Sequence, residues 1–184
     1  MILLRHGQSE FNLLFTQTRR DPGIIDPRLT PLGHEQALAA RDSLANTQIR
    51  RIIASPYTRA LQTAAPIAAA RGLPVHITAL VGERYAFTCD VGAPRSDLQR
   101  DWPHLDFSTI DEIWWPRTEE PTHTIAARAH QFRHHIATTP DWAETLVVSH
   151  WGFILATTGI KVTNGQILHC NPADPPPANI TWHH

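Results

Sequence analysis

The stretch Ile2-Leu3-Leu4-Arg5-His6-Gly7-Gln8-Ser9-Glu10-Phe11-Asn12 decides the fold. An apolar run ending in a polar cluster with glycine reads as a buried strand entering a tight loop. That arrangement puts a fixed cation, an imidazole and an unobstructed backbone at one strand end. Arginine presents a planar donor fork that suits phosphate or carboxylate. Histidine exchanges protons near neutrality and can act as a nucleophile.

Two further stretches share this plan. In Ile52-Ile53-Ala54-Ser55-Pro56-Tyr57-Thr58-Arg59, an apolar run meets Ser-Pro and then an alanine-rich helical stretch. Serine before proline predicts a helix start, with Arg59 in the first turn. In Leu146-Val147-Val148-Ser149-His150-Trp151-Gly152, the strand again delivers a histidine and then a glycine. Open α/β sheets bind ligands at the C-terminal edge of their strands. Arg5, His6, Arg59 and His150 are therefore expected to converge on one anion. Glu83 follows a predicted strand at 74–78 and is expected at the same edge. Two arginines, two histidines and one carboxylate suffice for phosphoryl transfer, which needs a nucleophile, cations for the equatorial oxygens and an acid for the leaving oxygen.

The segments RHGQSEFN (5–12), DPRLTPLGHEQA (26–37), ASPYTRALQTA (54–64), GERY (82–85) and VVSHWG (147–152) together resemble the histidine phosphatase superfamily, the phosphoglycerate mutase-like proteins. The resemblance spans most of the chain. It implies that His6 accepts the phosphoryl group, that Arg5, Arg59 and a protonated His150 hold it, and that Glu83 donates the proton. It implies no metal and no cofactor. Asn12, Ser9 and Arg84 are the expected substrate-binding residues. The implied reaction is hydrolysis of a small phosphate monoester through a phosphohistidine. Alternatives are a phosphomutase and a silent phosphate- or phosphoprotein-binding module. Residues 13–25 lack the Gly-Arg and Gly-Trp pattern of the sugar-phosphate mutases, and Thr88–Gly92 departs from the usual sequence after the acid.

Several residues admit blander readings. Asp90 is a rival acid to Glu83. Asn12 suits a turn, and Ser9 suits a helix cap. Twelve histidines invite a metal reading, and His130 and His134 stand four apart on a predicted helix. No glutamate completes a His-Glu-x-x-His pattern, so that helix reads as packed, with Arg128, His130, Arg133, His134 and His135 on a wet face. His169-Cys170 and His183-His184 are isolated pairs, the latter expected to fray.

With 184 residues and 42% hydrophobic content, one domain over 1–184 is expected. Sixteen Lys and Arg against 17 Asp and Glu create no global field for nucleic acid or membrane. Cys89 and Cys170 do not make a disulfide framework, and no run approaches the ~20 apolar residues of a membrane helix. The opening apolar run is too short for a signal peptide, so a cytoplasmic location is expected. Oligomeric state is not readable from the sequence.

Strands are predicted at 2–5, 50–54, 74–78, 145–149 and 165–169, and helices at 9–17, 31–45, 57–71, 94–101, 122–138 and 152–158. Their alternation predicts an α/β three-layer sandwich with a mostly parallel central sheet and helices on both faces. Segment 84–121, rich in Tyr, Phe, Trp and Pro, reads either as a substrate cover or as rings filling a core. The proline-rich tail at 171–179 reads as an extended surface segment.

Overall fold

The apolar runs form one sheet in the computed structural model, which describes residues 1–182. The pair His183-His184 lies outside the described residues. Strand β1 (Ile2–Arg5) runs parallel to β4 (Thr145–Ser149), with Arg5 opposite Ser149. Strand β2 (Arg51–Ala54) pairs with the other side of β4, and β3 (Val75–Ile77) pairs with β2, both parallel. Strand β5 (Ile167–His169) closes the far edge, antiparallel to β1. The order is β3-β2-β4-β1-β5. Strands covered on both faces need continuous apolar runs, which is why the central strands read LLR, RIIA and LVVS.

The helices are α1 (Glu10–Thr18), α2 (Pro31–Ser43), α3 (Thr58–Arg71), α4 (Arg95–Asp101), α5 (Thr122–Ala137) and α6 (Trp151–Thr158). Side chains alternate across the strands and divide the core in two. Ile2, Leu4, Ile52, Leu146 and Val148 pack on α2 and α3 through Leu44, Leu61 and Ile67. Leu3, Ile53 and Val147 pack on α5 and α6 through Ile125, Phe132, Phe153 and Ile154. The three-layer sandwich expected from the sequence is thus present. Among the described residues no helix is long and apolar enough to cross a membrane.

Local signals behave as expected at α2, where Thr30 caps the helix by accepting from the Gly33 amide and Pro31 opens it. They mislead at α3. Its N-cap is Tyr57 rather than Ser55, and no side chain of its own caps it. Asp26 does so from a distant loop, accepting from the Thr58 amide at 3.0 Å and the Thr58 hydroxyl at 2.6 Å.

The wet face expected on α5 also needs correction. His130, His134 and His135 are exposed, but Arg133 is buried. It donates to the carbonyls of Thr157, Pro172 and Asp174, binding the tail to α6. Arg128 is drawn inward as well, for reasons given below. Segment 84–121 divides: Arg84, Phe87 and Asp90 face a cavity, whereas Leu98, Phe107 and Ile110 are buried in the core.

Candidate active site

The strand ends place the chemistry. A cavity of about 280 Å³ opens at the C-terminal edge of β1, lined by Arg5, His6, Ser9, Asn12, Arg59, Glu83, Arg84 and Asp90. His150 follows β4 directly behind it, its ring centroid 5.1 Å from that of His6. Because Arg5 and Ser149 are register partners, the next residue of each strand is an imidazole.

His6 is held by its own loop. Its Nδ1 lies 2.7 Å from the Gly7 carbonyl. A carbonyl can only accept, so Nδ1 carries the proton and Nε2 bears the lone pair. Burial, then the charges of Arg59 and Arg5, keep His6 well below the usual imidazole range. It is therefore neutral at pH 7. Gly7 is required by space: a Cβ there would collide with the Gly33 carbonyl.

The cations are fixed from outside. Arg5 donates to the Val162 carbonyl at 2.8 Å. Burial draws its pKa down to about 10, with Glu83 opposing and Arg59 adding, so it stays charged at neutral pH. Arg59 donates to the Cys89 carbonyl at 2.9 Å, lies 3.4 Å from the Asp90 carboxylate and stacks 4.3 Å from the Tyr57 ring centre. Tyr57 in turn donates to the Asp90 carbonyl at 2.6 Å.

Without phosphate in the site, burial, followed by Arg59 and His6, holds His150 well below the usual imidazole range. Its Nε2 pairs with the Ser55 hydroxyl at 2.8 Å, which accounts for the serine that does not cap α3. Its Nδ1 and the Nε of Arg5 are buried without a hydrogen-bond partner among the described residues. Buried nitrogens of this kind suit an incoming anion.

The two candidate acids differ in their surroundings. Both hydrogen bonds to Glu83, from the amides of Arg84 and Gly152 at 2.8 Å each, fall on Oε1. The other oxygen, Oε2, is left to carry a proton. Burial and the nearby Asp90 raise Glu83 to about 7 against these bonds and against Arg59 and Arg5. Asp90 is engaged on both oxygens: Oδ2 accepts from the amides of Ala86 and Phe87 at 3.0 Å each, and Oδ1 faces Arg59. Burial raises Asp90 also, with Arg59 as the main opposition.

The other expected binders are only partly available. Ser9 caps α1 in a reciprocal box with Asn12, and its hydroxyl donates to Asn12 Oδ1 at 3.0 Å. Asn12 lines the cavity, its Oδ1 also accepting from Asn164 at 3.0 Å. Arg84 reaches the cavity, but its guanidinium binds the Glu120 carbonyl and the Glu119 carboxylate. The sequence reading missed Asn164, whose amide donates to the His6 carbonyl at 3.1 Å. It also missed Arg128, which donates to the carbonyls of Leu80, Gly82 and Glu83 and pairs at 2.7 Å with the buried Glu120. Among the described residues no group of three or more His, Cys, Asp or Glu is arranged to hold a metal.

The family description "histidine phosphatase superfamily (branch 1)" matches residues 1–173. The chain belongs to that superfamily. A glucosyl-3-phosphoglycerate phosphatase of Mycolicibacterium vanbaalenii is 31% identical, over 91% of this chain and 78% of that protein. The structure of a mycobacterial glucosyl-3-phosphoglycerate phosphatase with VO3 is similar at a TM-score of 0.59 and 26% identity, covering 99% of this chain and 90% of that one. A 2,3-bisphosphoglycerate-dependent phosphoglycerate mutase of Bartonella tribocorum is 48% identical, but over only 35% of this chain and 28% of that one. The long matches are thus to phosphatases and the short one to a mutase, which favours a phosphatase.

Proposed function

We propose that the protein is a metal-independent phosphatase, one domain over 1–184, that hydrolyses a small phosphate monoester through a phosphohistidine on His6. The observation that carries this reading is the seating of His6: its Nδ1 lies 2.7 Å from the Gly7 carbonyl, which assigns the proton to Nδ1 and the lone pair to Nε2, and the residue lines a cavity with two cations. Asn12 and Asn164 complete the wall, and Ser9 and Arg84 serve it through their neighbours. The two unpaired cysteines suit a cytoplasmic location.

His6 Nε2 attacks phosphorus as the bond to the leaving oxygen breaks, and Glu83 gives that oxygen its proton. The phosphoryl oxygens lie against Arg5, Arg59 and the free Nδ1 of His150. The dianion reverses the sign of the local field, so His150 gains a proton only with phosphate present. Glu83, now ionised, takes a proton from water, and the water oxygen attacks phosphorus. The phosphorus–nitrogen bond breaks, and its electron pair returns to Nε2. The Arg5–Arg59 pair is preorganised by the carbonyls of Val162 and Cys89, so it does not reorganise as charge develops.

Rapid quench with labelled substrate tests the reading. An acid-labile, base-stable adduct on His6, absent from His6→Ala and unaffected by EDTA, is expected. An undiminished adduct in His6→Ala would overturn the assignment. Glucosyl-3-phosphoglycerate, named by the relatives, belongs in the substrate panel.

A further inference from the structure

The cavity extends beyond Arg5, His6 and Arg59, and much of its remaining lining is aromatic. One wall is Phe11, Phe15 and Phe87, with ring centroids 5.2 to 5.5 Å apart. Trp151 and Trp182 also line the cavity, their rings meeting edge to face at 5.9 Å. Trp182 arrives from the tail, beyond the residues 1–173 that the family description matches. It is held in place: its indole nitrogen donates to the Thr122 hydroxyl at 2.7 Å, and the Arg84 guanidinium lies 4.8 Å from its ring centre. Arg84 is in turn anchored to Glu119 and the Glu120 carbonyl. Upstream, Arg133 binds the tail through Pro172. This is a built contact across 60 residues of sequence.

We propose that Trp182 is a specificity-determining residue, a tail-borne wall that selects phosphate esters whose leaving group carries a ring with a flat, apolar face. The proposal rests on the phosphatase reading of the same cavity. Aromatic side chains recognise such faces by stacking and by excluding water, and they do not supply the directed hydrogen bonds that a short, ring-free polyol or acid needs. The ring belongs to the leaving group because the phosphate end is enclosed by Arg5, His6 and Arg59. Aryl, nucleoside and pyranose leaving groups share this chemistry, and turnover of phenyl phosphate, adenosine monophosphate and glucose 1-phosphate separates them.

Phenylphosphonate and methylphosphonate differ by the ring alone and are not hydrolysed. Calorimetric titration of the whole chain should show about tenfold tighter binding of the phenyl compound. Trp182→Ala should reduce that ratio to about one, and Trp182→Phe should retain most of it. Thr122→Val, which releases the indole without altering the cavity wall, should lower the ratio partway. In the three ring-bearing esters, Trp182→Ala should raise KM relative to glycerol 3-phosphate rather than lower kcat. Thermal melts exclude unfolded variants. A wild-type ratio near one, or a ratio unchanged in Trp182→Ala and Thr122→Val, overturns the proposal. Because the phosphonate ratio does not depend on turnover, loss of the phosphatase reading would show as an absent His6 adduct with the ratio intact.

Discussion

The backbone amide of Gly152 donates to Oε1 of Glu83, and a Cβ on Gly152 would collide with that same oxygen. The glycine thus seats the carboxyl proposed as the acid. Gly152→Ala should push the carboxyl out of position while leaving β4 intact. Turnover of alkyl phosphates, whose leaving oxygen needs the proton, should fall about 100-fold. Phosphoenzyme formation from a nitrophenyl ester should fall far less, because nitrophenolate leaves unaided. Equal losses on both substrates would show that Gly152 acts on phosphate binding instead.

Glu83 holds its proton to about 7 in the fold, against an ordinary value of 4.5. Activity on alkyl phosphates should therefore decline above pH 7. The same shift makes the unfolded chain lose its proton first, so this carboxyl lowers stability progressively as pH rises from about 4.5 to 7. Glu83→Gln should abolish the basic limb and, relative to wild type, gain stability across that interval by about 3 kcal/mol, then level off. Denaturant titrations at pH 4.5, 6 and 8 measure it; a gain already complete at pH 4.5 would contradict the raised value. His6 is depressed, so the acid limb of kcat/KM should lie below the usual imidazole range.

Asp90 shares the cavity but serves Arg59 and two backbone amides. Asp90→Asn should weaken the grip on phosphate, raising KM about tenfold with no dependence on the leaving group. Loss confined to alkyl phosphates would make Asp90 the acid and Glu83 a positioning group.

Arg128 gathers three carbonyls around Glu83 and neutralises buried Glu120. Arg128→Ala leaves that carboxylate unpaired, and a loss of about 3 kcal/mol in stability is expected. Arg128→Lys, which keeps the charge but loses the fork, should fold and lower kcat on alkyl phosphates with a displaced basic limb. An unchanged pH profile would reduce Arg128 to a purely structural tie.

The strand–histidine pattern was legible because buried strands announce themselves as apolar runs and the residue after each run sits at the ligand edge. His6 and His150 therefore stood out. Ser55 did not, because serine before proline signals a helix start locally, while its bond to His150 spans 95 residues. Arg128 and Arg133 looked like solvated charges, since a helical period reveals apolar faces but not the carbonyls that draw a guanidinium inward. Asn164 and Trp182 carry no local pattern and become meaningful only when the chain returns to β1 and α5. The role of Gly152 needed the approach of the Glu83 loop, a contact across 69 residues.

The hydrogen-bond ladder between β1 and β4 has a consequence for how this chain can change. Arg5 and Ser149 are paired in the central sheet, so the two imidazoles that follow are spaced by backbone pairing rather than by any side chain. The outer walls come from elsewhere: α1, the segment around Phe87 and the tail. On the proposed mechanism, reaction and selectivity therefore reside in separable parts of the polymer. Substitutions at Phe15, Phe87 or Trp182 should redirect which ester is accepted while the sheet continues to present His6, the proposed nucleophile.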